Sequence, residues 1–521
     1  MLSARRLLVT ACLLVAAAPS WAPALADTLV LTPVAVSRQN APVGGRYVLF
    51  GSVNIDSVRR VTFTASLSRG KVGIFRTEHG TVTPLLLTGD PAPPSAGTAF
   101  DTLLEAASNA RGDMAFVSTI FFPQRIGVFL MRDGAITTLA LEGDPAPTRR
   151  GEYFADFGQV RILESGDVYF TAALSDTPFS PVTTGLSIVR ATASGLEGLV
   201  APGDRGVGDR EVVSTLQFHV NESGAVTTTA VITSPSSLAP ASVVEVDSWV
   251  DGVLTPLASE NLSVSGGVDA FRNFAVTFDQ VRVLPSGESV FYAGTNDFMN
   301  GAYFIHDGPS LFDNRRLIAQ RDRSPVSPND RFAAFGGFGT NQAGDLVFHA
   351  TTNQLPAGGM FFRRGITTIP VAKAGDARPD GLDVWHGFLM VEMNEAGAFV
   401  FTDFQDQFVQ VAVYTGRLVP PASILIDQIS DAIRSGGLDR SVSLGLLAEL
   451  RAIGRAAERN GAGALRLAEA LRREVQSRSG HSIPAVFVDH VDPMLEDLVI
   501  ALGGPSTAPH GRPTGPRLVL E

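Results

Sequence analysis

The sequence predicts a mainly β protein: a seven-bladed β-propeller closed by its own two ends, followed by a small antiparallel α-helical bundle. Three observations carry this prediction. Short apolar runs recur in sets of four along the first four fifths of the chain. Turn glycines before one run of each set fall at 112, 166, 224, 287, 344 and 397, spaced 53 to 63 residues apart. The set left incomplete at the start of the chain is completed near residue 411.

The unit is clearest from Gly127 to Phe170. Val128–Met131 form the first run, and Asp133-Gly134 make a turn of the kind that joins hairpin strands. Thr137–Leu141 form the second run. The loop Gly143-Asp144-Pro145-Ala146-Pro147 follows, where two prolines forbid a central strand. Phe157–Leu163 form the third run, and Glu164-Ser165-Gly166-Asp167 turn the chain into the fourth, Val168–Ala172. The runs are rich in β-branched and aromatic residues, as strands are. Asn stands three residues before the turn glycine at Asn109, Asn221, Asn341 and Asn394, and both residue types accept the positive φ of tight turns.

A seventh set is split. Leu29–Leu31, Tyr47–Phe50 and Val61–Ala65 match its second, third and fourth runs, and Val411–Tyr414 match its first. A ring sealed by pairing its ends leaves no exposed sheet edge at the join. A β-solenoid is the alternative, but about 55 residues per set is long for a solenoid coil.

Composition fits a turn-rich β protein: 52 glycines and 32 prolines among 521 residues, with only 18% charged. Residues 1–26 have the pattern of a secretory signal, with Arg5-Arg6, an apolar stretch from Leu7 to Ala18, and Ala24-Leu25-Ala26 before the expected cleavage. That stretch is too short to span a bilayer, so the mature chain is expected to have no transmembrane segment. The expected location is secreted or periplasmic. Val9-Thr10-Ala11-Cys12 offers lipid anchoring through Cys12 as an alternative. Without residues 1–26 the chain carries 39 basic and 52 acidic residues, which argues against nucleic acid as a partner. Cys12 is the sole cysteine, so neither disulfides nor cysteine chemistry is expected in the mature chain.

Residues 27–419 form the predicted propeller. From Pro420-Pro421 the pattern becomes helical, and a bundle is expected over 420–504. Its helices are expected to start near Ser423, Ser443 and Ala462, with a fourth at Asp492-Pro493, a cap followed by proline. A Pro- and Gly-rich stretch, 505–521, is expected to be a disordered tail. Ser175–Thr184, Thr233–Ala241 and Ser259–Val268 are expected to be exposed loops.

The first ~420 residues resemble a loosely defined group of secreted bacterial tandem-repeat proteins, whose units join an Asn-x-x-Gly turn, a strand like Met114–Ser118 and a strand like Gly73-Ile74-Phe75. Residues 424–502 resemble a FIMAH domain in Ile424-Leu425-Ile426, Ser435–Leu438, Leu447–Ala457, Asn460-Gly461, Leu471–Val475 and Leu495–Ile500. That resemblance implies an extracellular accessory role without catalysis.

The loop aspartates Asp90, Asp144, Asp204, Asp322 and Asp376 are the recurring candidates for binding, with calcium as the ligand they would suit. Each loop supplies only one, followed by Pro or Ala at all but Asp204 and Asp322, so a side chain bonding the turn's own amides is the favoured reading. No cofactor is expected. Asp383 and His386, beside Trp385, are the one locally suggestive polar group. No catalytic nucleophile elbow, phosphate loop or paired-histidine metal motif is present. The leading expectation is a secreted non-catalytic binding or scaffold protein, meeting an extracellular or envelope protein or glycan. The alternatives are an exported propeller hydrolase or lyase acting on a carbohydrate or lactone, and a structural envelope protein.

Overall fold

A computed structural model describes residues 28–503, except 79, 94–96, 207–209, 234–241, 251, 261–270, 273–280, 296, 311–312, 342, 382, 406–408, 421, 436–437 and 460. The expected signal peptide and tail, and most of two of the three expected loops, lie outside the described residues. Among the described residues the strands form seven antiparallel sheets, the blades of a propeller. Numbered along the chain, their first strands are Tyr47–Ile55, Ala99–Ser108, Tyr153–Ile162, Arg210–Val220, Val281–Val283, Phe332–Thr340 and Phe388–Met393. First strands touch between blades 1 and 2, 2 and 3, 4 and 5, 6 and 7, and 7 and 1, which places them around the axis.

Blade 7 is composite. Its first three strands are Phe388–Met393, Phe399–Gln405 and Val409–Val419, and its outermost strand is the leading strand of the chain, Thr28–Val36. Leu29 lies opposite Leu418 and Leu31 opposite Gly416, so the predicted closure is the observed one.

Each blade buries aromatic side chains in a set arrangement. Phe63–Phe75, Phe116–Phe129, Phe291–Phe304 and Phe348–Phe361 are cross-strand stacks with ring centroids 5.4 to 5.8 Å apart. Such pairs add about 0.5–1.5 kcal/mol each beyond the area they bury. A first-strand ring meets the stack edge-on in blades 1, 2 and 6, supplied by Tyr47, Phe100 and Phe332. Blade 4 departs from this plan, with Thr228 opposite Asp247 where the others hold an aromatic or apolar pair.

The recurring turn explains its own residues. Gly112, Gly224, Gly344 and Gly397 have φ between +76° and +92°, where a side chain is strained. The Asn Oδ1 accepts the amide four residues on, at Asp113, Ala225, Asp345 and Ala398, over 2.9–3.0 Å. In three turns the Asn Nδ2 then donates to the next blade: Asn109 to Leu163 O, Asn221 to Leu284 O and Asn394 to Asp56 O. One side chain thus shapes a turn and staples two blades.

The four helices that follow are α1 (Ala422–Ser435), α2 (Arg440–Arg459), α3 (Gly461–Ser477) and α4 (Ala485–Ala501). They share a core that includes Leu425, Ile429, Leu450, Ile453, Leu471 and Leu495, and Val419 of the propeller belongs to it. The expected helix start at Asp492-Pro493 is wrong: α4 begins at Ala485, after Pro484, and contains Pro493. An internal proline loses a backbone bond and costs about 3 kcal/mol. Burial of Phe487, Val488, Val491, Leu495 and Leu498 along one stripe offsets that cost.

Candidate functional site

The position two residues before each turn lies on the first strand and faces the axis. In blades 1 to 7 it is Asn54, Ala107, Arg161, His219, Arg282, Gly339 and Glu392. Arg161 Nη2 reaches Glu392 Oε1 at 2.6 Å, and Arg282 Nη2 lies 3.8 Å from the same oxygen. Blades 3, 5 and 7 converge on one atom only across the axis. Both arginines also donate from Nη1 to the preceding carbonyl, at 3.1 Å. His219 Nδ1 accepts the Val283 amide at 3.2 Å, so a neutral ring carries its proton on Nε2. Burial, then the charges of Arg282 and Arg161, hold this imidazole well below its ordinary pKa. Asn54 Oδ1 likewise accepts the Ser108 amide of the next blade. Gly339 permits close approach, since a Cβ there would sit 2.6 Å from the Met393 nitrogen. The ring is therefore a braced ion-pair cluster with a neutral imidazole beside it.

The loop aspartates bond their own turns. Asp90, Asp144, Asp204 and Asp322 accept the amides of Leu87, Leu141, Ala201 and Ala319, each three residues earlier, at 2.8–3.1 Å. Asp376 faces Lys373 Nζ at 3.4 Å. Among the described residues, no three His, Cys, Asp or Glu side chains are grouped to hold a metal ion.

Asp383 and His386 are brought together, with Nε2 3.9 Å from the Asp383 carboxylate. Beneath them lies Asp403, fully buried, where the other blades carry Ala65, Ser118, Ala172, Ala230, Ala293 and Ala350. Asp403 accepts the His386 amide at 3.0 Å and Arg378 Nη1 at 3.0 Å, which ties down the loop entering blade 7. Neither Asp403 nor the axial charges were singled out from the sequence. Aligning the seven units by turn would have exposed both, because each breaks a column of similar residues.

A cleft of about 620 Å³ lies between blades 7 and 1 and α4. Arg59 of blade 1 and Arg417 of blade 7 both bind Asp497 of α4, at 2.8 and 2.6 Å. Arg472 of α3 pairs with Asp492 at 2.8 Å. The helical region thus sits across the join of the ring. No helix among the described residues is long and apolar enough to cross a membrane.

Solved structures similar in fold include a gluconolactonase from Xanthomonas campestris, 11% identical over 76% of this chain and 91% of that one, with a TM-score of 0.34. A luciferin-regenerating enzyme is 8% identical over 75% and 95%, with a TM-score of 0.31. A GH93 α-L-arabinofuranosidase of Fusarium graminearum is 10% identical over 61% and 92%, with a TM-score of 0.32. No curated protein matches the chain in sequence. A family model matches residues 21–125 and 121–410, from just ahead of the leading strand to the start of the third strand of blade 7, and the chain belongs to that family, a family of unknown function (DUF7453).

Proposed function

We propose that the protein is an exported, non-catalytic binding or scaffold protein, secreted or periplasmic, whose propeller presents a surface to an extracellular or envelope protein or glycan. The observation that supports this is the state of the axial ring. The one carboxylate among its seven named positions, Glu392, is held by Arg161 and lies beside Arg282. Hydrolysis of a glycosidic bond usually calls on two carboxylates set apart across the scissile bond. An ion-paired brace instead fixes three blades against each other and leaves recognition to the outer surfaces. The helical region would serve attachment.

The test is a thermal-shift screen of residues 27–521 against glycans, lactones and calcium, paired with chromatography of the same mixtures. A ligand that binds only the native state raises the melting temperature by mass action. Stabilisation without product supports binding. Turnover of a glycan or lactone would overturn it in favour of the hydrolase or lyase reading.

A further inference from the structure

A cluster of apolar side chains stands in solvent on blades 2 and 3. Phe121 and Phe122 lie where the second strand of blade 2 passes to the third, and Phe179 lies in the same connection of blade 3. These connections are at the end of the blades opposite the recurring turns. Arg59, which binds the helical region, belongs to the turn of blade 1, so the helices dock at the other end. Phe122 is 72% exposed and Phe179 59%, so nothing among the described residues covers them.

The cluster is nonetheless built. The Phe121 and Phe122 rings meet edge to face, with centroids 4.3 Å apart. Arg125, opposite Ile120 in the same hairpin, has its guanidinium 5.4 Å from the Phe179 ring centroid. It donates to Glu142 O at 2.7 Å and to Asp144 Oδ1 at 2.8 Å, which fixes it. The Phe179 ring lies on Gly143, where a Cβ would stand 2.5 Å from it. Phe122 and Phe179 hold φ at +59° and +61°, a region that bulky residues enter only under strain. Internal packing does not ask for that strain, because both rings face solvent. Strain of this kind gathers at functional surfaces, and aromatic residues with arginine are the composition of interface centres.

Charge selects the occupant. Residues 99–104, 119–126, 142–147, 153–158 and 174–185 build this end of the two blades and hold one basic residue, Arg125, already paired with Asp144. Asp101, Asp156 and Asp176 are exposed there, and with Glu142 they make no ion pair among the described residues. An anionic bilayer is repelled by such a surface, and a cationic chain is drawn to it. Lysine and arginine also lie favourably over phenyl rings.

We propose that this end of blades 2 and 3 docks a basic, apolar segment of a partner protein. Its apolar side chains settle on Phe121, Phe122 and Phe179, and its cations pair with Asp101, Asp156 and Asp176. The proposal rests on the binding reading above and names its face and the chemistry of its partner.

Fluorescence anisotropy of residues 27–521 tests it with three labelled octapeptides: alternating Lys and Leu, the same with Glu for Lys, and the same with Ser for Leu. The Lys–Leu peptide is expected to bind saturably, more weakly as salt rises, and at least about tenfold more tightly than the others. Phe122→Asn with Phe179→Asn is expected to weaken it about tenfold without lowering the melting temperature, since Asn accepts a left-handed backbone. Phe122→Asn alone, with about a threefold loss, serves should the pair unfold. Asp101→Asn with Asp176→Asn is expected to weaken binding about fivefold and flatten its salt dependence. Ile366→Asn, 93% exposed at the opposite end of blade 6, is expected to change nothing. No saturable binding of the Lys–Leu peptide, equal binding of the Ser peptide, or binding that both double variants leave unchanged overturns the proposal. So does attachment to phosphatidylglycerol vesicles that the double Phe variant abolishes, which would assign the cluster to a membrane. The two readings fail separately: turnover of a glycan with the peptide still docked here ends the non-catalytic reading alone.

Discussion

Replacing Asp497 tests whether the helical region clasps the ring. Its side chain is 2% exposed and receives Arg59 from blade 1 and Arg417 from blade 7. Hydrogen bonds to charged groups contribute about 1.5–3 kcal/mol each. Removing one member of a buried pair costs about 3–5 kcal/mol, because its partners stay buried without it. Glu496 lies 3.5 Å from Arg417 and recovers part of the loss. Asp497→Ala is therefore expected to cost about 3 kcal/mol. The assay is a double-mutant cycle of Asp497→Ala with Arg59→Ala, read by urea unfolding and by hydrogen exchange of Thr28–Val36. A coupling of about 1.5 kcal/mol or more is expected, with faster exchange in that strand. Coupling under about 0.5 kcal/mol, or exchange unchanged in the strand, would refute the clasp.

Three further predictions follow from single contacts. Asn394→Ala removes the bonds to Ala398 N and, across the join, to Asp56 O; it should cost about 2 kcal/mol in denaturant unfolding, more than Asn341→Ala, whose Nδ2 donates within its own turn to Asp345 and makes no inter-blade bond among the described residues. Gly339→Ala drives a Cβ to 2.6 Å from the Met393 nitrogen and 2.9 Å from the Glu392 carbonyl carbon and should cost about 1–3 kcal/mol by the same measurement, since these two atoms are backbone. Burial pushes the Asp247 carboxyl up from 3.8 to about 7, with Arg210 opposing and Glu245 adding to the shift. The native state then holds this proton more tightly than the unfolded chain, so the group's stabilising contribution is full below about pH 4 and is lost as pH rises through about 7. Asp247→Asn should flatten that decline, gaining about 2–3 kcal/mol on the wild type between about pH 5 and about pH 8, and parallel melting curves for the two would refute it.

Much of the propeller was legible because its determinants are local. The turn carries Gly, and in four units Asn, at fixed offsets, and a strand needs a short β-branched or aromatic run, so both leave marks in sequence. The join was legible because Leu29–Leu31 match the second run of a set whose first run stands at Val411–Tyr414. The axial cluster was not, since Arg161 and Glu392 stand 231 residues apart and nothing local couples them. The start of α4 was misjudged because Pro493 carries a strong local signal that burial of its helix overrides. The polar centre of blade 4 was hidden for a related reason. Asp247 and Arg210 look like surface residues until the sheet order turns them inward.

The composite last blade also sets an order of events. Thr32 meets Thr415, 383 positions further along the chain. At elongation rates of about 5–20 residues per second, the leading strand waits roughly 20–75 s before its mate has been made. Throughout that interval an apolar edge stands open, and blade 1 has no neighbour on one side. This strand, made well before its mate, is thus among the last to find its place, and a chaperone that keeps it extended would protect the whole assembly.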